Sequence, residues 1–287
     1  MSAAALRLGT RGSPLALRQA ELVAQAIEGA VETVVLRTGG DLGAGADKRR
    51  WVDTIEDALL AGEIDLAVHS AKDLPAELAD GLQIAGAPAR VDARDALCGG
   101  AAAVAALATG ARVGTSSLRR RAQLLALRDD LAVLELHGNL DTRLGRLAAG
   151  DFDAIVLAVA GLRRLGRDGW SAASELVPAA GQGTLAIEAR VGDDRVAAAL
   201  APQRDSATER ALAAERTLVS RLGAGCDTPL GCHAQELDDG SLALSCFIGS
   251  PDGSEWIRDV LSGSDPRALG EAAAERLLSC GAGALLG

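Results

Sequence analysis

An α/β fold, with mostly parallel sheets covered by helices, is predicted by three features of this sequence. Apolar β-type runs alternate along the chain with Ala/Leu-rich amphipathic segments. At several junctions a strand-like run passes through a short Gly/Ser/Thr turn straight into a helix start, as in LRLGTRGSPLALRQA and ARVGTSSLRRRAQLL. With 287 residues, 48% of them hydrophobic, the chain has material for two or three compact cores.

The elements follow in order. ALRLGT reads as a strand and SPLALRQAELVAQAIEGA as a helix, with Ser13 as N-cap and Pro14 at the first helical position. VETVVLRT predicts a strand, WVDTIEDALLAG a helix and IDLAVHS another strand. ARVGTSS followed by LRRRAQLLALRDD repeats the strand, loop and helix. LAVLELHGN then leads into LDTRLGRLAAG, with Asn139 as a cap. AIVLAVAGL (154–162), the longest apolar run, reads as one buried strand. Two stretches lack periodicity, APARVDARDALCGG (87–100) and APQRDSATER (201–210), and are read as domain crossings. A long helix begins near Thr208, and the tail adds alternating runs such as LALSCFIGS and a final helix.

Composition excludes several function classes. Net charge is −10, aromatics are 2% and tyrosine is absent, which argues against a nucleic-acid partner. No run approaches a membrane span, and MSAAALRLGT lacks the apolar core of a signal peptide. Five widely spaced cysteines do not form a disulfide framework and point to a reducing cytoplasm. Cys226, Cys232 and His233 have a C-x5-C-H spacing that matches no common zinc pattern, so no metal is expected. Cys98, Cys246 and Cys280 are expected to be buried and inert, whereas flanking glycines leave the Cys226 sulfur accessible.

Charge is unevenly placed. The window from Arg112 to Arg167 carries +4, leaving −14 for the remainder. Arg119, Arg120 and Arg121 fall in a first helical turn, where cations oppose the macrodipole. With the hydroxyls of Ser116 and Ser117 and free backbone N–H groups, they make an anion site. Arg11 with Ser13, and Asn139 with Arg143, repeat the arrangement. Any one of these arginines alone is best read as a solvated face. Three basic helix starts favour a shared anion, a carboxylate or phosphate held bidentately. Asp73 follows the strand IDLAVHS beside Lys72, one of only two lysines in the chain. It is either a turn aspartate before Pro75 or a carboxylate for a cationic or N–H-bearing substrate. His69 and His137 stay open between structural and functional roles.

Seven stretches together resemble the porphobilinogen deaminase (hydroxymethylbilane synthase) family: LGTRGSPLALRQA, AVHSAKDLP, VGTSSLRRRAQL, GNLDTRL, DAIVLAVAGLRRLG, GQGTLAIEAR and ERTLVSRLGAGCDTPLGCHA. The resemblance implies three α/β domains: 1–90 with 181–203, then 91–180, then 204–287. The first two would resemble the lobes of type II periplasmic binding proteins, with the active cleft between them. The third would be a small open-faced domain carrying the cofactor loop. It implies a dipyrromethane cofactor in thioether linkage to Cys226, and Asp73 as the catalytic carboxylate that stabilises the cationic azafulvene left when ammonia departs. Lys72 would contact carboxylates and keep Asp73 ionised. Arg11, Ser13, Lys48, Ser70, Thr115, Ser116, Ser117, Arg119, Arg120, Asn139, Arg143, Arg164 and Gln182 would bind the acetates and propionates of cofactor and substrate. Trp51, His69 and His137 would lie near substrate. The partners implied are porphobilinogen and the growing polypyrrole, and the protein would be a cytoplasmic monomer. Against the family pattern, the segment TGGDLGAGADKRRW is short, Ala44 stands where a lysine is frequent, Trp51 replaces phenylalanine and His137 replaces arginine. A two-lobed anion-binding protein without catalysis would explain the basic helix starts, but neither Asp73 nor the accessible cysteine.

Overall fold

The computed structural model describes residues 4–37, 49–225 and 227–286. In chain order the elements begin β1 (Leu6–Arg11), α1 (Pro14–Ala26), β2 (Val31–Leu36), α2 (Arg49–Leu60), β3 (Leu66–Ser70), β4 (Leu82–Gly86) and β5 (Asp95–Cys98). They continue with β6 (Arg112–Gly114), α3 (Leu118–Leu127), β7 (Ala132–Leu134), α4 (Leu140–Ala148), β8 (Ala154–Ala158), α5 (Val159–Arg164) and β9 (Trp170–Ala173). The last are β10 (Leu185–Arg190), α6 (Asp194–Leu200), α7 (Ser206–Arg221), β11 (Leu230–Glu236), β12 (Leu242–Gly249), β13 (Trp256–Gly263) and α8 (Pro266–Ser279). The fold is α/β, as expected, and the described residues form three sheets.

Two compact units are formed, Met1–Val91 with Thr184–Glu209, and Asp92–Gly183 with Arg210–Gly287. In the first, the sheet order is β2-β1-β3-β10-β4. β1 runs parallel to β2 and β3, while β10 returns from far along the chain and inserts antiparallel between β3 and β4. One face buries Leu8, Leu66, Val68 and Ile187 against Ala20 and Val23 of α1 and Val196 and Leu200 of α6. The other buries Ala67 and Leu82 against Ile55 and Leu59 of α2. Helix α1 starts where its sequence dictates. Ser13, extended at φ −71° and ψ 148°, accepts a hydrogen bond from Ala16 N, and Pro14 occupies the first turn.

The second unit repeats the plan in the order β7-β6-β8-β5-β9. Here β6 is parallel to β7 and β8, and β5 is antiparallel to β8 and β9. The expectation of mostly parallel sheets therefore needs correction. Each five-stranded sheet contains one antiparallel strand flanked by two partners, because a strand distant in sequence is inserted, and local patterning carries no trace of that. The run 154–162 is a second correction, because its strand ends at Ala158 and α5 takes over. Val159, Ala160 and Leu162 are buried in the helix as Ile155 and Leu157 are in the strand, so an unbroken apolar run does not mark the change.

Within the same unit, the antiparallel sheet β11-β12-β13 packs its inner face on α7 and α8, burying Leu218, Leu244, Ile248, Leu269 and Leu277. Phe247 of β12 meets Ala122 of α3 and Val177. Gly253 (φ 73°) allows a tight turn beside α3, where a Cβ would come within 2.6 Å of Leu125 and Ala126. Glu215 of α7, fully buried, clasps this assembly: Oε2 accepts Gly181 N–H at 2.6 Å and Oε1 accepts Ala234 N–H at 2.8 Å. Glu215→Ala is expected to cost about 3 kcal/mol, since two buried backbone donors lose their acceptor. Glu215→Gln, which keeps one acceptor oxygen, should cost less. Urea unfolding checks both, and a loss below about 1 kcal/mol for the alanine variant would refute the clasp.

Candidate active site

In the first unit the basic-start motif is built at the end of β1. Arg11 is the last strand residue, and buried Thr10 donates its hydroxyl to Ala16 O at 3.2 Å, closing the strand onto the helix that Ser13 caps. Next to it, β3 ends at Ser70 and runs into a 3-10 turn, Ala71–Asp73. Ser70 Oγ accepts from Nε2 of buried Gln19 on α1 at 2.8 Å, and Ala71 N–H donates to Thr184 O at 3.0 Å. Lys72 and Asp73 are thereby held half-buried at the carboxyl end of an internal strand. His69 is buried beneath this tip, its Nε2 3.0 Å from Glu188 Oε2.

In the second unit, β6 leads to buried Thr115, whose Oγ1 accepts from Ser117 N. Ser117 caps α3 by accepting from Arg120 N. Arg119 and Arg120 are not a solvated face, since each is only 5% exposed. Arg119 Nη1 donates to Asp95 Oδ2 at 2.7 Å and to Val177 O at 2.6 Å. Arg120 donates to Asp95 Oδ1 through Nη2 (2.7 Å) and Nε (3.0 Å), and to Val156 O through Nη1. Gln182 Nε2 completes the set, reaching Asp95 Oδ1 at 2.9 Å and Ala93 O at 2.7 Å. Burial alone would raise the Asp95 carboxyl, but the charges of Arg119 and Arg120 overcome it and hold it well below the usual carboxylate range. Burial likewise pulls Arg120 below its ordinary value.

Two guanidinium groups against one carboxylate leave this buried set with an excess positive charge. Half-buried Arg164, lowered to about 10 by burial, still carries its charge at neutral pH and donates to Gly183 O at 2.8 Å. Asn139 caps α4, accepting from Thr142 N and Oγ1, and Arg143 Nε donates to Gly138 O. His137 stands largely exposed, its Nε2 3.2 Å from Glu135 Oε2.

Lys48, Cys226 and the Trp51 side chain lie outside the described residues, as does Ala44. Among the other cysteines, burial pushes the Cys98 thiol up to about 11 and Cys246 up to about 12, so both are inert. Cys280, expected to be buried, is instead exposed, as the C-cap residue that follows the last turn of α8. No described group of three or more His, Cys, Asp or Glu is placed to hold a metal ion, and no described helix is long and apolar enough to cross a membrane. Sequence reasoning missed Asp95 and Glu188. The signal was an acid set inside an apolar run, in DALC and TLAIEA.

Comparison with known proteins adds a second line of observation. Residues 6–198 match the family description "Porphobilinogen deaminase, dipyromethane cofactor binding domain", and residues 210–279 match "Porphobilinogen deaminase, C-terminal domain". The porphobilinogen deaminase of Roseiflexus castenholzii is 47% identical over 301 aligned positions, covering 98% of each chain. That of Brevibacillus brevis is 42% identical, covering 98% of this chain and 96% of its own. Among solved structures, a periplasmic substrate-binding protein of an ABC transporter from Coxiella burnetii aligns with TM-score 0.44 at 17% identity, covering 71% of this chain and 94% of its own.

Asp95→Asn is expected to destabilise the protein by about 3–5 kcal/mol at pH 7, because two buried guanidinium groups lose their counter-charge. The folded Asp95 pKa is depressed, so its contribution is complete above the unfolded value of about 3.9 and is lost as pH falls below it. The stability gap between wild type and Asp95→Asn should therefore be constant from pH 7 to 5 and narrow on further acidification. Unfolding free energies measured across pH 7 to 3 check this, and a gap that widens on acidification would contradict it.

Proposed function

The chain belongs to the porphobilinogen deaminase family, and on that premise we propose that Asp73 is its catalytic carboxylate and Cys226 its cofactor attachment point. As a member it is a transferase, a hydroxymethylbilane synthase. It joins four porphobilinogen molecules head to tail with loss of ammonia on a dipyrromethane primer, then releases the linear product by hydrolysis. When bound, dipyrromethane supplies the pyrrole carbon to which the first unit is joined.

The residues present fit a group rich in carboxylates. The set around Asp95 keeps an excess positive charge at the start of α3, beside the partly exposed hydroxyls of Ser116 and Ser117. A buried surplus of cation is stabilised by an anion brought to it. Arg119 and Arg120 serve here through charge and through the N–H donors not directed at Asp95, Val156 O and Val177 O, since each guanidinium carries five donors and spends three on those partners. Ser116, Ser117, Arg143, Asn139 and Arg164 on this unit, and Arg11, Ser13, Ser70 and Lys72 on the other, complete the proposed carboxylate contacts. Gln182 orients Asp95. Thr115 supports the Ser117 backbone. Lys48 and Trp51 keep their proposed contacts with substrate, as does His137.

Asp73 acts on the pyrrole nitrogen. Its carboxylate accepts the N–H hydrogen bond and stabilises the positive charge that grows as ammonia leaves, and it can take and return a proton in each coupling. The observation that supports this reading is the anchoring of Ser70 by Gln19 and of Ala71 by Thr184, which fixes the backbone leading to Asp73 at a strand end. The three-domain division, 1–90 with 181–203, 91–180 and 204–287, belongs to the same reading and is supported by one sheet falling in each. A cytoplasmic monomer completes it; for the compartment, the support is that the four described cysteines are free.

Asp73→Ala should lower turnover at least about 10²–10³-fold while thermal unfolding stays near wild type. Bilane synthesis at the normal rate in that variant removes Asp73 from the mechanism. For the attachment point, intact mass spectrometry of protein from a heme-making host should give an excess equal to one dipyrromethane unit, absent in Cys226→Ser. The same excess in both would place the linkage elsewhere.

A further inference from the structure

The first unit holds a second set of titratable groups that the chemistry above does not use. Glu188, in the middle of β10, is fully buried, and its Oε2 lies 3.0 Å from His69 Nε2 on the neighbouring β3. Glu56 of α2 is buried in the same face and accepts Ala79 N–H at 3.3 Å. Burial, and then the charge of Glu188, push its carboxyl up. Glu188 faces His69 Nε2 and the Glu56 carboxyl, whose raised value includes a hydrogen-bonding contribution from Glu188, but neither contact has well-directed geometry.

Such a group is costly. A carboxylate with no exposure and no directed donor loses its hydration for an electrostatic contact alone, and an apolar side chain would be tolerated better. Every neighbour in LAI and at Ala189 is apolar and buried. Stability therefore does not account for Glu188, whereas its position does. Successive residues of a strand point to opposite faces, and the tip of β3 is tied on both. Ser70 is held by Gln19 of α1 on one side, and His69 by Glu188, backed by Glu56 of α2, on the other. Beyond that tip come Lys72 and Asp73. We propose that Glu188 is a positioning residue for the deaminase reaction, acting through His69 to fix the turn that carries Asp73. The inference rests on the reading of Asp73 as the catalytic carboxylate. Glu56 shares the load by sitting behind Glu188, and because α2 opens one residue after Lys48, the same contact ties that helix to the strand tip.

The test is steady-state kinetics of porphobilinogen consumption by holoenzyme. Four variants are compared, Glu188→Gln, His69→Gln, their double variant and Asp73→Ala, each with a thermal midpoint and an intact mass for bound cofactor. Glu188→Gln keeps shape and removes charge. It is expected to lower kcat about tenfold or more, with KM within about twofold, full cofactor and an unchanged or raised midpoint. The double variant should be no slower than His69→Gln by more than about twofold, because one residue acts through the other. Wild-type kcat in Glu188→Gln, with Asp73→Ala inactive, overturns this inference and leaves the Asp73 reading intact. An active Asp73→Ala overturns that reading instead, and this inference with it. Losses that multiply in the double variant, or that follow the thermal midpoint or cofactor content, make Glu188 structural and also overturn the proposal. If Glu188→Gln does not fold, His69→Gln decides alone, and wild-type kcat in it is an overturning result.

Discussion

Bringing two guanidinium groups out of water costs several kcal/mol each unless a counter-charge meets them, and in the second unit that counter-charge is the carboxylate of Asp95. It opens β5, the strand inserted against the direction of its neighbour β8, so the topology of the sheet delivers the anion to the start of α3. Gln182 then binds both Asp95 and the chain before it. Remove the carboxylate and the helix start, the strand and the Gln182 segment lose their common partner. The surplus charge that remains is the feature on which the proposed carboxylate contacts of this unit rest.

The first unit uses burial in the opposite sense. Its interior set holds two acids, Glu56 and Glu188, against one imidazole, and lies behind the turn bearing Asp73. In the proposed reaction several carboxylates call for cationic contacts, while the positive charge that develops on the pyrrole and the carbon losing ammonia calls for an anionic one. In the proposed assignment Asp73 of the first unit supplies the anionic contact, while cationic side chains of both units, Arg11 and Lys72 on one and Arg119, Arg120, Arg143 and Arg164 on the other, supply the rest.

How much of this was legible depended on range. Ser13 and Asn139 cap their helices as expected because capping is decided within four residues. The basic helix starts were visible for the same reason, and so was the turn after β3. Asp95 was not, because the partners that explain it lie 24 and 25 residues away, and Gln182 87. Glu188 was hidden similarly, its meaning resting on an antiparallel pairing with β3 more than a hundred residues earlier. The change from β8 to α5 escaped because both segments are buried throughout, which erases the periodicity that distinguishes strand from helix.

The insertion of β10 also orders events during synthesis. When the first ninety-one residues have left the ribosome, β3 has one open edge and β4 has no partner, since the strand that joins them is still unmade. All five strands of the second sheet lie between Asp95 and Ala173, so that sheet has its full complement first. The nascent chain must therefore carry an unfinished apolar sheet while about a hundred further residues are translated, which is the interval in which a chaperone has most to protect.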